Sequence, residues 1–473
     1  MEQLSTQVLI LGGGPGGYSC AIRAAQLGLD VMLVEPARAG GTCLHAGCVP
    51  SKAFIHVAER YRDSRGAGDL AALGIANAQA KLDWPTSLSW KDAVVDRLAG
   101  GVDALLQRAG VTRLTGRGEM QDGKRCHVHD SAIGVADSAD PIAEVHAEHV
   151  VLAVGATEVE LPGLTPGPDV LYAQQALTLP ELPKTLAVVG GGYIGLELGQ
   201  AFARLGVQVT LVEAQERLLP AYSAALTQSI IKAVLADGVT AHTDARALDW
   251  QGGDLQVAVA DNEPFGVPAQ KVLVAIGRRP NLQGWGCENL ALDASASAGI
   301  AVDGRCETSM SGVYAVGDVT GEPMLAHRAM AQGQVVAECI AGRRREFAPV
   351  AVPAVCFTSP ELASVGESAA SAKAAGLEVK VQRYPLAANA RALTLGAGVA
   401  EGFIEVVVHA DDHVLLGVQA VGEHVAELVH SFTLALEMGA RLEDIADTIH
   451  AHPTLGETFA EASLAALGLP LHG

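Results

Sequence analysis

At 473 residues the chain exceeds one ordinary domain and calls for two to four, each able to bury its own core. Its 32 Lys+Arg against 53 Asp+Glu leave a net charge of −21, which repels a phosphate backbone or an anionic membrane surface, so neither nucleic acid nor a membrane is expected as a partner. With 49% hydrophobic residues, 18% charged residues and 53 glycines, the composition is that of compact α/β enzyme domains, and no apolar run approaches the roughly 20 residues that span a bilayer.

The first strand is expected almost at Met1, in Gln7-Val-Leu-Ile-Leu-Gly12, with no secretory or transit segment before it and hence a cytoplasmic location. A glycine turn follows, with Gly12, Gly14 and Gly17 in GxGxxG spacing, then an alanine-rich amphipathic stretch, then Val31-Met-Leu-Val-Glu35. The same series recurs as Leu186-Ala-Val-Val-Gly190, a turn carrying Gly190, Gly192 and Gly195, a second amphipathic stretch, and Val209-Thr-Leu-Val-Glu213. Gly12 to Glu35 is 23 positions, and so is Gly190 to Glu213. A lone GxGxxG is weak evidence. Strand, turn, helix, strand and terminal acid at one spacing, twice, point to two dinucleotide-binding units. In each, the first glycine permits the tight turn, the second lets backbone approach a pyrophosphate, and the third lets helix pack on strand. The acid would accept hydrogen bonds from a ribose diol and repel a 2′-phosphate, so Glu213 favours NAD over NADP.

Between these units, residues 41–52 read GTCLHAGCVPSK and place Cys43 and Cys48 five positions apart. The spacing, with no second cysteine pair, argues against zinc, and no metal site is expected. The flanking Gly40, Gly41, Gly47 and Pro50 argue against a packed core helix. In a regular helix positions i and i+5 lie about 8.7 Å apart, too far for a disulfide, so the segment must break if the bond forms. Pro50 suits a first helical turn, which puts Cys48 near a helix N-terminus, where the helix and Lys52 would both favour the thiolate. The pair reads as a redox couple. The other six cysteines (Cys20, Cys126, Cys287, Cys306, Cys339 and Cys356) are expected to be buried small hydrophobes.

Further along, Gly66 to Ser89 lacks periodicity and reads as a surface connection. Residues near 119 to 148 read as a small antiparallel excursion broken by Asp-Gly and Ser-Ala pairs. Strand-plus-glycine stretches end at Gly155, Gly277 and Gly317-Asp318. After Arg343-Arg-Arg345 the composition shifts, and Val352 onward reads as a third, α+β domain with a helix through Val425 to Met438. The fold class expected is α/β, with two Rossmann-like domains and a C-terminal α+β domain: 1–158 with 276–348, 159–275, and 349–473.

Taken together, the redox stretch, both fingerprints, Gly277-Arg-Arg-Pro-Asn281, Ala315-Val-Gly-Asp318, Met324-Leu-Ala-His-Arg-Ala329 and His450-Ala-His-Pro-Thr-Leu-Gly-Glu457 resemble the flavin-dependent disulfide reductases over essentially the whole chain. Within that family they look most like the dihydrolipoyl dehydrogenases, and Val355-Cys-Phe-Thr358 and Thr448-Ile-His-Ala-His-Pro-Thr-Leu-Gly-Glu457 look most like bacterial forms serving a branched-chain 2-oxo acid dehydrogenase complex. The resemblance implies FAD on the first fingerprint, NAD on the second, and a homodimerising C-terminal domain. It implies that Cys48 faces the flavin while Cys43 exchanges with dihydrolipoamide, and that Lys52, paired with Glu197, lies by flavin N5. Asp318 would bind the ribityl chain, Leu325-Ala326 would meet the flavin ring through backbone, and Thr42, Gly118 and Gly277 would complete the cofactor contacts. His452, oriented by Glu457, would be the base acting on the other subunit's cysteines, and lipoyl domains of a 2-oxo acid dehydrogenase complex would be the partners. Glutathione reductase is disfavoured by Glu213 and Ser51, mercuric reductase by a tail without cysteine and by His452, and a non-catalytic flavin-binding protein by the intact Cys43, Cys48, His452 and Glu457. Two departures stand out: His45-Ala46 where the family has Asn-Val or Asn-Ile, and a first strand-glycine motif that reads Ala153-Val-Gly155 where a threonine is usual.

Overall fold

The structure, a computed structural model, describes residues 1–65, 73–75, 80–130, 140–259, 263–396 and 402–472. The chain divides into two compact units, Met1–Ala53 with Pro85–Glu160 and Gly277–Ala348, and Phe54–Trp84 with Leu161–Ile276 and Pro349–Gly473. Among the described residues no helix is long and apolar enough to cross a membrane.

The first unit is built on β1 (Glu2–Leu11), α1 (Pro15–Gln26) and β2 (Val31–Glu35). Then come α2 (Gly41–His45), α3 (Cys48–Ser64), α4 (Trp84–Ala109), β3 (Thr112–Thr115), β4 (Arg117–Met120), β5 (Arg125–His129) and β6 (Ala143–Leu152). Its sheet runs β3-β2-β1-β6-β5-β4, with Val313–Ala315 adding along β6. The inner pairs are parallel (Val8 opposite Val31, Leu11 opposite Leu152), and the β6-β5-β4 meander is the antiparallel excursion read from the sequence. The Ser-Ala breaks expected there fall at 131–139, outside the described residues. Because a parallel strand is covered on both faces, residues 8–11 of β1 and 31–34 of β2 are apolar at every position. Val8, Ile10, Val31 and Leu33 join Cys20, Ala24 and Val336 on one side, while Leu9, Leu11, Met32 and Val34 join Met120, Val145 and Trp285 on the other.

The second unit holds β7 (Val170–Leu171), β8 (Thr185–Val189), α5 (Tyr193–Arg204), β9 (Gln208–Val212), β10 (Thr240–His242) and β11 (Lys271–Val274). Their sheet is parallel, in the order β10-β9-β8-β11-β7. An antiparallel sheet follows from β12 (Ala354–Cys356), β13 (Glu361–Gly366), β14 (Val379–Pro385), β15 (Phe403–His409) and β16 (Leu415–Gly422). The helices α6 (Val425–Glu437) and α7 (Glu457–Ala466) pack with it, and Phe432 meets Phe459 edge to face at 4.9 Å.

Two expectations need correction. Residues 84–89 are not connection but the first turns of α4. Pro85 is tolerated in that first turn, and Trp84 is buried with its indole N–H donating to the Leu179 carbonyl at 3.0 Å. Residues 66–72 and 76–79 of that stretch lie outside the described residues. Among the six lone cysteines, Cys287 is only half-buried, because it opens a one-turn 3-10 helix after Gly286 at the margin of the core.

Candidate functional site

Both fingerprints follow an inner strand flanked by parallel neighbours, and their stereochemistry is nearly superposable. Gly12 has φ +97°, and a Cβ there would lie 2.3 Å from the Ala153 carbonyl oxygen; Gly190 has φ +107°, with the Ala275 oxygen at 2.4 Å. A Cβ on Gly17 would come within 1.8 Å of the Gly12 oxygen, and one on Gly195 within 2.0 Å of the Gly190 oxygen. At the middle glycine the crowding vanishes: Gly14 would meet only the Gly41 Cα at 3.9 Å, and Gly192 nothing within 4 Å. Each turn is thus closed against its own strand and open where a pyrophosphate would approach, at the N-terminus of α1 or α5. This arrangement fits two dinucleotides.

The terminal acids are held alike. The Gly13 N–H donates to Glu35 Oε2 and the Gly191 N–H to Glu213 Oε2, each at 2.6 Å. The second oxygens accept from Ala37 and Gln215 at 3.2 and 2.7 Å. Carboxylates carry further lone pairs, so each can also accept from a ribose diol. Gly118 on β4 lies against Leu11 and Cys126, beside the strand that delivers Gly12.

The break predicted between the two cysteines occurs at Ala46-Gly47: α2 ends at His45 and α3 begins at Cys48. A Cβ on Gly47 would sit 3.1 Å from the Thr42 oxygen and 3.6 Å from the Cys43 Cα, which explains glycine at the break. The reversal brings the two sulfurs into hydrogen-bonding contact, near disulfide distance. That contact with Cys48, and then burial, push the Cys43 thiol up, while the Lys52 ammonium opposes the rise. Cys48 opens the 17-residue α3, so its sulfur is placed at a helix N-terminus. Tyr18 on α1, which sequence reasoning passed over, is raised first by burial and then by the charge of Cys43. The only signal it offered was its place next to the third fingerprint glycine.

Asp318 follows the strand Val313–Ala315 in a short 3-10 turn. Burial raises its carboxyl, with Arg278 and Arg328 pulling the other way, and no protein hydrogen bond reaches the carboxylate among the described residues. A half-buried acceptor in need of donors suits a polyhydroxyl chain. Leu325 and Ala326 begin the helix Ala326–Ile340, whose first N–H groups suit a carbonyl acceptor. Gly277, with φ +125°, precedes Arg278, which pairs with Glu158 at 3.0 Å.

In the second unit, Glu197 accepts from the Phe357 N–H at 2.8 Å. It heads a buried polar stripe on α5, Glu197, Gln200 and Arg204, exposed by only 4, 2 and 6%. Gln200 clamps the Ser359 backbone, accepting from its N–H at 2.9 Å and donating to its carbonyl at 2.8 Å, and Arg204 pairs with Asp237 at 2.8 Å. Sequence reasoning found Glu197 but not its two helical neighbours; a polar stripe at i, i+3, i+7 in an otherwise apolar helix was the available signal. Near the C-terminus, His452 Nδ1 lies 2.9 Å from Glu457 Oε1, and Glu457 Oε2 accepts from the Thr454 N–H at 2.7 Å. Burial alone would raise Glu457, but the Thr454 N–H and the imidazole hold its carboxyl below the ordinary value. A carboxylate on Nδ1 fixes that proton and leaves Nε2 as the acceptor on a ring 72% exposed.

Residues 6–333 match the family described as pyridine nucleotide-disulphide oxidoreductase, and residues 352–463 match its dimerisation domain. The dihydrolipoyl dehydrogenase of Pseudomonas aeruginosa is 50% identical over 469 residues, covering 99% of each chain. Dihydrolipoyl dehydrogenase 2 of Haloarcula marismortui is 41% identical over 472 residues, 99% of this chain and 98% of the relative. Among solved structures, LpdA from Mycobacterium tuberculosis aligns over 97% of this chain and 99% of its own, with a TM-score of 0.87 at 28% identity.

Proposed function

The chain belongs to the pyridine nucleotide-disulphide oxidoreductase family, and from that premise we propose that it is the dihydrolipoyl dehydrogenase of a 2-oxo acid dehydrogenase complex. It is an NAD-dependent FAD oxidoreductase, with a C-terminal domain of the dimerising kind. The observation that carries the reading is the thiol pair, Cys43 and Cys48, folded together across the Ala46-Gly47 break at the head of α3.

FAD supplies the two-electron relay between the thiol pair and NAD. His452 Nε2 takes the proton of a dihydrolipoyl thiol, with Glu457 stabilising the imidazolium that results. The substrate thiolate bonds to Cys43 Sγ as the Cys43–Cys48 bond breaks, and Cys48 leaves as a thiolate favoured by the helix N-terminus. The second substrate sulfur then closes the lipoyl ring and releases Cys43, leaving the electron pair on the protein dithiol. Lys52, partnered by Glu197, would lie beside the flavin, Asp318 would hold the ribityl hydroxyls, and Leu325, Ala326, Thr42, Gly118 and Gly277 would complete the seat. The FAD-binding domain is 1–158 with 276–348, the NAD-binding domain 159–275 and the interface domain 349–473. Each His452-Glu457 pair serves the cysteines of the other subunit in a homodimer, and lipoyl domains deliver the substrate in the cytoplasm. Glu213, closing the second fingerprint, supports NAD over NADP.

Purified protein assayed with dihydrolipoamide, glutathione and Hg(II), each with NAD(H) and NADP(H), tests the assignment. Turnover is expected with dihydrolipoamide and NAD. Strong NADPH-dependent glutathione turnover without lipoamide activity would overturn it.

A further inference from the structure

His45 stands in the redox stretch between Cys43 and Cys48, and its surroundings give it a definite task. It is the last residue of α2, a five-residue helix, far too short to hold itself by its own hydrogen bonds. Leu44 is the one buried side chain of α2. The His45 ring reaches back over Gly40, where any Cβ would lie 2.9 Å from Nε2, and Nε2 stands 3.0 Å from the Ala39 carbonyl oxygen. A carbonyl only accepts, so Nε2 carries the proton and donates.

The far end of that bond is firmly placed. Ala39 is fully buried, and the Gly40 N–H donates to the Gly13 carbonyl at 2.8 Å. A Cβ on Gly13 would be 3.3 Å from the Ala39 Cα, and one on Gly41 only 2.5 Å from the Gly14 Cα. Residues 39–41 therefore lie flush on the first fingerprint turn.

We propose that His45 is a positioning residue for the Cys43–Cys48 couple, its Nε2–H tying the end of the redox helix to Ala39 and through it to the first fingerprint turn. The inference rests on the reading of that pair as the redox couple. Cys43, two residues before His45, takes its place from α2, so a slack α2 moves the sulfur that the substrate must attack.

The holoenzymes of wild type, His45→Ala, His45→Asn and His45→Gln test this. Glutamine carries its amide nitrogen as many bonds from Cα as His Nε2, whereas asparagine carries it one bond nearer. With flavin content and melting temperature alongside, two quantities are read: the Cys43–Cys48 equilibrium against a glutathione buffer, and the rate of thiol reduction by dihydrolipoamide. Loss of one hydrogen bond should shift both about two- to tenfold in the Ala and Asn variants, with the Gln variant near wild type. Wild-type values in all three variants overturn the proposal, as does a Gln variant as impaired as Ala. Equal loss of flavin in all three also overturns it, because the role is then merely structural. A wild type that ignores dihydrolipoamide sinks the proposed substrate instead, while the glutathione equilibrium still judges His45.

Discussion

The two fingerprints differ less in their turns than in what their chains do next. Carbonyl clearances agree to within about 0.2 Å, and both acids hold the neighbouring N–H at 2.6 Å. Beyond Glu35, however, the chain doubles through Gly40 and Gly41 onto its own fingerprint and starts the redox helix. Beyond Glu213 it continues through Gln215 with no thiol. The helices diverge as well: α1 buries Cys20, Ala21 and Ala24, whereas α5 buries Glu197, Gln200 and Arg204. One dinucleotide scaffold is used twice, and the chemistry is set by the loop after the second strand and by one helix face.

The sharpest way to break this division is Cys48→Ser. Turnover of dihydrolipoamide with NAD should fall on the order of a thousandfold or more, because the leaving thiolate is gone. The long-wavelength absorbance that a thiolate gives beside flavin on reduction should vanish. NADH oxidation by ferricyanide, which needs no thiol, should persist. If it collapses too, the two halves are not separable as described.

A smaller effect separates the glycines within one turn. Gly195→Ala drives a Cβ to 2.0 Å from the Gly190 oxygen and should cost about 1–3 kcal/mol of stability. Gly192→Ala meets no atom within 4 Å and should leave the melting temperature unchanged, while raising the KM for NAD about tenfold or more by blocking the approach to the backbone. Equal destabilisation by both would mean that the open position serves the fold and not a ligand.

Much of this was legible because the signals are local. Gly17 must be glycine on account of an oxygen five residues back, and the cysteine break follows from Gly47 and Pro50. What escaped the sequence depends on distant partners. The α4 start at Trp84 rests on a carbonyl at Leu179, and the polar stripe of α5 is satisfied by residues 357–359. β1 starts at Glu2, five residues before its apolar run, because β6 pairs with it from Ala143 onward. No periodicity within a strand or helix announces such partners. His45 is intermediate: its partner is six residues away, but the bond depends on the backbone turn at Gly40.

The two units should also titrate in opposite senses. Glu338, beside Arg23, Arg345 and Arg343 in the first unit, is held below the usual carboxylate value, chiefly by Arg23. Its stabilising contribution is present above the unfolded pKa and is lost as pH falls through the folded one. Glu361 in the second unit is pushed up to about 7, first by burial, then by Glu423, Glu59 and Glu427, against the Ala426 N–H that it accepts at 2.9 Å. A raised carboxyl contributes stability that is fully present below its unfolded pKa and is lost as pH rises through about 7. Glu361→Gln keeps an acceptor for Ala426 and cannot ionise, so it should stabilise the protein by about 1–2 kcal/mol at pH 8, with the gain shrinking toward pH 5. Melting curves of both proteins across that range decide it. A gap independent of pH would mean that Glu361 titrates alike in the folded and unfolded protein, and the contrast with Glu338 would fall with it.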